Sequence, residues 1–177
     1  MMDNKKEDRL QKNKEIVEWV KAISIAVIVA VLVRAFVFEM VVVEQSSMYP
    51  TLKEGDKLCV IKIAYLVSEP ERGDIAIVRI SNNTNYVKRV IGLSGETIEI
   101  KDNTVYIDGN ALQEDYLEGD LQYADFDAVR IPDNCYFVMG DNRPYSMDSR
   151  SEGIGFIHED DISGKVLFKT RPFTWYK

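Results

Sequence analysis

Two short stretches of the sequence contain side chains that together could hydrolyse an amide bond. Ser47 lies in VEQSSMYPTL, at residues 43–52, and Lys88 lies in YVKRVIG, at residues 86–92. A serine hydroxyl is a poor nucleophile unless a base takes its proton. Lysine can be that base if burial removes its charge, because desolvation penalises the ammonium form and lowers its pKa. Taken singly, an ordinary turn serine and an outward-facing strand lysine are the simpler interpretations.

Histidine, the usual base for a serine nucleophile, occurs once. His158 lies in the acidic stretch FIHED, far along the chain from Ser47, where a surface histidine is the simpler interpretation. No cluster of metal-ligating residues is evident in the sequence, so we expect no metal and no cofactor. The two cysteines, Cys59 and Cys135, lie in apolar stretches. Buried unpaired thiols are expected there, although a disulfide between them stays possible.

An apolar run at residues 22–38 is the longest in the chain. Its 17 residues would form a helix of about 26 Å, the short end of what spans a bilayer. A buried core helix and a cleaved signal peptide are the alternatives, but the run does not end in a small-x-small cleavage site. We therefore expect a cytoplasmic segment at residues 1–17, a transmembrane anchor at 18–38 and an extracytoplasmic domain at 39–177.

Charge is unevenly distributed between the two ends of the chain. Residues 1–38 carry a net charge of +2, and residues 39–177 carry −9. Basic residues ahead of the apolar run favour a cytoplasmic N-terminus. The acidic body argues against a nucleic-acid partner, which requires clustered positive charge. The lipid bilayer is the expected partner of the anchor, and the oligomeric state is left open.

The pattern from Met40 onward predicts short β-strands separated by Gly, Pro and Asn turns. Residues 97–100 and 104–107 predict a hairpin joined near Asp102 and Asn103, and a turn is expected at 81–84. Residues 159–162 are compatible with a helical turn. Residues 110–130 are polar, acidic and weakly patterned, which predicts a long excursion or insertion. The predicted fold is a mainly antiparallel β domain.

A third block, GDNRPYSMDSR at residues 140–150, completes the set of motifs. The three blocks, in this order after an N-terminal anchor, resemble type I signal peptidase, most closely its short, single-anchor bacterial form. The resemblance extends from about residue 16 to the C-terminus. It implies coiled antiparallel β-sheets of signal-peptidase type, an apolar surface that lies on the membrane, and cleavage of N-terminal signal peptides from exported preproteins.

The resemblance also implies a role for each matching residue. Ser47 corresponds to the nucleophile and Lys88 to the general base of a Ser-Lys dyad, and Ser146 to the serine that orients that lysine. Asp148 and Arg150 correspond to an ion pair that braces the site. Residues 140–143 correspond to a structural turn rather than to catalytic groups. The residues expected to bind substrate are Val43, Glu44, Gln45, Met48, Leu52, Asn85, Tyr86 and Val87.

The chain departs from the family pattern at two places. Gln45 stands where some members use a hydroxyl to complete the oxyanion hole, so the second donor there is open, with the Gln45 amide as one candidate. Residues 94–96 read Ser-Gly-Glu in place of Pro-Gly-Asp, which affects only the rigidity of a turn.

Two other functions are compatible with parts of this pattern. A self-cleaving repressor-type protease uses the same Ser-Lys chemistry, but the anchor and the acidic body argue against a DNA-binding function. A non-enzymatic, membrane-anchored β module is the other, and the intact Ser47, Lys88 and Ser146 count against it.

Overall fold

The computed structural model describes residues 2–80, 84–119, 121–170 and 172–176. The chain divides into two compact units, Met1–Phe38 and Glu39–Lys177. The first unit is the helix α1 (Met2–Phe36), which contains neither glycine nor proline, the residues least compatible with a helix interior. It runs without a break through the charged segment and the apolar run. Its 23-residue stretch Lys14–Phe36 is long and apolar enough to cross a membrane.

The second unit is built from short strands. They are β1 (Phe38–Val42), β2 (Lys57–Ile61), β3 (Ile75–Ile80), β4 (Thr84–Gly92), β5 (Thr97–Lys101), β6 (Thr104–Ile107), β7 (Asn110–Ala111), β8 (Phe126–Arg130), β9 (Cys135–Met139), β10 (Ile157–His158), β11 (Ile162–Thr170) and β12 (Phe173–Trp175). A short helix, α2 (Ala64–Val67), follows β2. Turns of 3-10 helix lie at Arg143–Tyr145 and Glu159–Asp161, and the second confirms the expected helical turn.

These strands form two sheets within the described residues. The larger has the order β1-β2-β11-β3-β4-β9-β10, with β12 added to β11, and the smaller has the order β7-β6-β5-β8. The registers of both sheets are antiparallel. The prediction of a mainly antiparallel β fold with one N-terminal apolar helix is therefore confirmed.

The predicted hairpin is β5–β6. Asp102 and Asn103 have φ values of 49° and 60°, the left-handed conformation that a two-residue hairpin turn requires. With this register Ile98, Ile100 and Val105 are all buried on one face of the smaller sheet. The turn expected at residues 81–84 falls mostly outside the described residues, and Thr84 already belongs to β4.

Residues 110–130 are more ordered than their composition predicts. They contain β7, which pairs with β6, and β8, which pairs with β5. Apolar and polar residues alternate only weakly here because few of the side chains are buried. In β8 most side chains are exposed, and only Phe126 and Val129 are partly buried. The segment therefore closes the smaller sheet on both sides.

Three clusters of buried apolar side chains form the core of the second unit. The first packs Met48 and Leu52 against strands β2 and β3. The third joins the smaller sheet to Phe137 and Met139 of β9, and so anchors the strand that leads into the 140–150 block. Cys59 and Cys135 are both free thiols, as expected, but only Cys59 is buried, and Cys135 at the start of β9 is half-buried.

Candidate active site

Strand register brings Lys88 beside the 140–150 block. Lys88 lies within β4, where β-branched and aromatic neighbours favour a strand. The next residue, Arg89, pairs with Met139 at the end of β9. The chain therefore leaves β9 at Gly140 next to Lys88, and two motifs that are far apart in sequence meet there.

Lys88 is buried, and its amine is hydrogen-bonded to the 140–150 block. Only 1% of its surface is exposed, and its Nζ lies 3.1 Å from Oγ of Ser146. Burial lowers the pKa of Lys88 to about 8, with the Asp148 carboxylate opposing the shift and the Arg150 guanidinium adding to it. A lysine with such a pKa is neutral in a useful fraction of molecules near neutral pH.

Ser47 lies in a turn that follows β1 and is held by the same block. The N–H of Asn142 donates to the carbonyl oxygen of Ser47 at 3.0 Å, and the Asn142 amide donates to the carbonyl oxygen of Ser46 at 3.1 Å. The turn itself is closed by the N–H of Leu52, which donates to the carbonyl oxygen of Met48 at 2.8 Å. The serine turn is thus attached to the loop that contacts Lys88.

Gly140 lies where these two elements come closest. A Cβ at this position would lie 2.2 Å from Oγ of Ser146 and 2.3 Å from the carbonyl oxygen of Ser47. Both distances are far below van der Waals contact, so only glycine fits. Gly140 therefore allows the Ser47 turn and the Ser146 loop to approach each other.

Asp141 connects the serine turn to the lysine strand. Its carboxylate accepts from Arg89 at 2.9 and 2.7 Å and from the hydroxyl of Thr51. The Arg89 and Asp141 side chains are 8% and 0% exposed, so this is a buried, bidentate pair, which holds its partners in a specific geometry. The bridging roles of Thr51 and Arg89 were missed at the sequence level, although both residues stand inside the quoted motifs.

Asp148 and Arg150 form the ion pair that the family resemblance predicts. Arg150 donates to the Asp148 carboxylate through Nε and Nη2, both at 2.8 Å, and the N–H of Gly140 donates to Asp148 at 2.9 Å. Burial alone would raise the pKa of Asp148, but the hydrogen bonds and charge of Arg150 outweigh it and hold the pKa below its usual value. Arg150 also donates to the carbonyl oxygen of Arg143 at 2.8 Å, which closes the loop.

A cleft of about 660 Å³ opens beside Ser47. Residues 39–45, residues 84–87 and side chains of β2 and β3 line it, and β2 and β3 lie between β1 and β4 in the sheet order. The sequence-predicted residues that line it are Val43, Glu44, Gln45, Ser47, Met48, Asn85, Tyr86 and Val87.

Leu52 departs from the expectation that it lines the cleft. It is fully buried and packs with Met48 in the first core cluster. The physical reason is the turn closed by its own N–H, which returns the chain toward the core. Leu52 therefore lies in the same core cluster as Met48, and Met48 lines the cleft.

His158 lies away from this site. It is half-exposed and pairs with Cys135 at the opposite end of β9 from Met139, a separation of roughly 13 Å along the strand. Its ring accepts from the N–H of Asp160 and lies 3.3 Å from the Asp160 carboxylate. In the part of the chain that the structure describes, no group of His, Cys, Asp and Glu side chains could hold a metal ion.

Comparison with known proteins identifies the class as serine peptidases. The family model described as "Signal peptidase, peptidase S26" matches residues 16–170, which is most of the chain. The protein therefore belongs to the signal peptidase family, peptidase S26, and is an enzyme of the type I signal peptidase class.

Two sequence relatives agree with this assignment, and a solved structure is also similar to part of the chain. Signal peptidase I of Bacillus licheniformis is 45% identical over 94% of this chain and 95% of its own length. Signal peptidase I T of Bacillus subtilis is 46% identical over 92% of this chain and 89% of its own length. A crystal structure of a signal peptidase I from Enterococcus faecalis is 37% identical, covers 55% of this chain and 97% of its own, and superposes with a TM-score of 0.48.

Proposed function

We propose that this protein is a membrane-bound endopeptidase that removes N-terminal signal peptides from exported preproteins with a Ser47–Lys88 dyad. The observation that carries the proposal is the buried Lys88, whose pKa is lowered to about 8 and whose amine contacts Ser146 in the loop that also holds the Ser47 turn. The names of the relatives supply the substrate class, and the geometry supports the assignment of roles.

The proposed reaction is acyl transfer to Ser47. Lys88 takes the proton of the Ser47 hydroxyl as it attacks the scissile carbonyl, and then gives a proton to the leaving amine. A water molecule activated by Lys88 releases the acyl group. Ser146 holds the lysine amine in position through the 3.1 Å contact, while Asp148 and Arg150 keep the surrounding loop rigid.

The oxyanion of the tetrahedral intermediate requires preorganised donors. We assign the backbone N–H of Ser47 as the first donor. Gln45, which lines the cleft two residues earlier, can supply its side-chain amide as the second. A donor of this kind contributes about 3 to 4 kcal/mol to transition-state stability in serine proteases.

The substrate is proposed to bind as an extended strand in the cleft. Residues 43–45 and 85–87 line the cleft, and β9 pairs with β4 only from Arg89 onward in the register of the described residues. An extended peptide can add to such backbone edges and place alternate side chains against the cleft wall. Val43, Met48 and Tyr86 supply that wall.

Membrane attachment is assigned to α1. The stretch Lys14–Phe36 has the required length and composition, and the basic residues that precede it favour a cytoplasmic N-terminus. The proposed topology is single-pass in the cell membrane, with residues 1–17 cytoplasmic and residues 39–177 extracytoplasmic.

Cleavage of a preprotein by the purified full-length protein in detergent tests this function. Wild-type protein and Ser46→Ala, a neighbouring exposed serine, should release the mature protein, with its new N-terminus identified by mass spectrometry. Ser47→Ala and Lys88→Met should not, while Lys101→Met, an exposed strand lysine, should cleave normally. The proposal would be refuted if folded Ser47→Ala cleaved the preprotein, or if the wild type cleaved none of several preproteins.

A further inference from the structure

A carboxylate from outside the three motifs neutralises a buried arginine behind the site. Glu114 lies in the weakly patterned region before β8 and accepts hydrogen bonds from both terminal nitrogens of Arg143, one of them at 2.9 Å. The Arg143 and Glu114 side chains are 0% and 8% exposed. The hydroxyl of Tyr116 donates to the same carboxylate. This is a buried ion pair rather than a surface contact.

Two tyrosines of the same segment, Tyr116 and Tyr123, contact the other arginines of the site. The Tyr116 ring lies 3.8 Å from the guanidinium carbon of Arg89. The Tyr123 ring lies 5.4 Å from that of Arg150. Aromatic faces attract guanidinium groups at such distances. Together with the Glu114–Arg143 pair, the segment contacts all three arginines that hold the loop around Lys88.

Arg143 transmits this contact to the closest approach in the site. Its Nε donates to the carbonyl oxygen of Gly140 at 3.2 Å. Gly140 lies between the Ser47 backbone and the Ser146 hydroxyl, and a Cβ at this position would clash with both. A shift of the Arg143 side chain would therefore release the Gly140 carbonyl, at the point where the Ser47 turn and the Ser146 loop come closest.

We infer that Glu114 is a positioning residue for the Ser47–Lys88 reaction: it holds Arg143 on the Gly140 carbonyl and so maintains the spacing between Ser47 and Ser146. The inference rests on the proposed function of the dyad. It assigns a role in turnover to a segment whose described residues, 114–119 and 121–123, do not line the cleft. A purely structural ion pair would stabilise the fold without a separate effect on turnover.

Glu114→Gln tests the inference by removing the charge while keeping the shape of the side chain. We expect kcat to fall about 10- to 100-fold, since a misplacement of about 1 Å can have that effect. KM should change less than about twofold, because the cleft residues are untouched. The matched control is Glu96→Gln, which weakens the Arg72–Glu96 ion pair on another loop and should leave kcat unchanged.

The double variant Glu114→Leu/Arg143→Met separates positioning from stability. Replacement of a buried ion pair by apolar side chains commonly restores or raises stability, so its thermal midpoint should return close to that of the wild type. Its kcat should stay low, because the Gly140 carbonyl has lost its Arg143 donor. Full-length protein in detergent, a signal-peptide substrate and a thermal melt are sufficient for all variants.

The outcomes are distinct. Low kcat with unchanged KM in folded Glu114→Gln, and low kcat in a stable double variant, support the inference. Normal kcat in Glu114→Gln, recovery of kcat together with stability in the double variant, or loss of the fold in both variants would overturn it. Wild type and Ser47→Ala run beside them: only an inactive wild type or an active Ser47→Ala would instead count against the proposed function.

Discussion

The pH dependence of turnover tests the proposed role of Lys88 directly. Its pKa falls from 10.5 to about 8 chiefly because the amine is buried. Each pKa unit corresponds to about 1.4 kcal/mol, so the site disfavours the charged amine by about 3 kcal/mol. The neutral amine is the form that accepts a proton, and therefore activity must rise with pH rather than fall.

The expected size of the effect follows from this pKa. About one molecule in ten has a neutral Lys88 at pH 7, and about nine in ten at pH 9. We expect kcat/KM to rise about tenfold over that interval and to level off above it. The same shift makes the unfolded chain bind more protons between about pH 8 and 10.5, so the contribution of Lys88 to the free energy of unfolding also rises with pH in that window.

The assay is a kcat/KM profile from pH 6 to 10 with full-length protein in detergent and a peptide that contains a signal sequence. Ser47→Ala sets the background, and His158→Ala should give the wild-type profile, because His158 lies away from the site. A rate that does not depend on pH would refute the reasoning. So would a pH dependence that disappears in His158→Ala.

Three further predictions concern the loop and the topology. Ser146→Ala should lower kcat much more than it raises KM, because it disturbs the proposed base and not the cleft. An unchanged kcat would show that the 3.1 Å contact with Ser146 does not orient Lys88. Gly140→Ala should abolish cleavage, whereas Gly153→Ala, where a Cβ meets nothing within 4 Å, should be nearly normal; equal activity would argue against the close approach. Protease added to intact cells or protoplasts should digest residues 39–177, and protection of that region would reverse the proposed topology.

Local sequence patterns were enough to predict most strands of the fold. The alternation around Ile98 and Val105, with Asp102 and Asn103 between them, predicted the β5–β6 hairpin, because side-chain period and turn conformation are properties of a few consecutive residues. Strand order was not predictable in this way. The position of β11 between β2 and β3 depends on pairs of residues that are between 84 positions apart, as for Val78 and Ile162, and 111 positions apart, as for Leu58 and Lys169. A local sequence pattern does not contain such pairings.

The candidate site was proposed through motifs rather than geometry. The serine and the lysine were singled out because their surroundings match a family pattern, but the sequence could not say that Lys88 faces inward. Leu52 was expected beside the cleft and lies in the core instead. Glu114 gave no signal at all, because an acidic residue in a polar segment is equally compatible with solvent exposure.

Composition and short-range periodicity were sufficient to predict the apolar helix, the β class of the domain and the side chains available for chemistry. Which of those side chains act on one another depends on the folded structure. Burial of Lys88 changes its pKa, Gly140 permits an approach that any Cβ would prevent, and Glu114 reaches Arg143 across 29 residues of chain. Each of these effects arises from long-range packing, where desolvation and excluded volume act between residues that the sequence keeps apart.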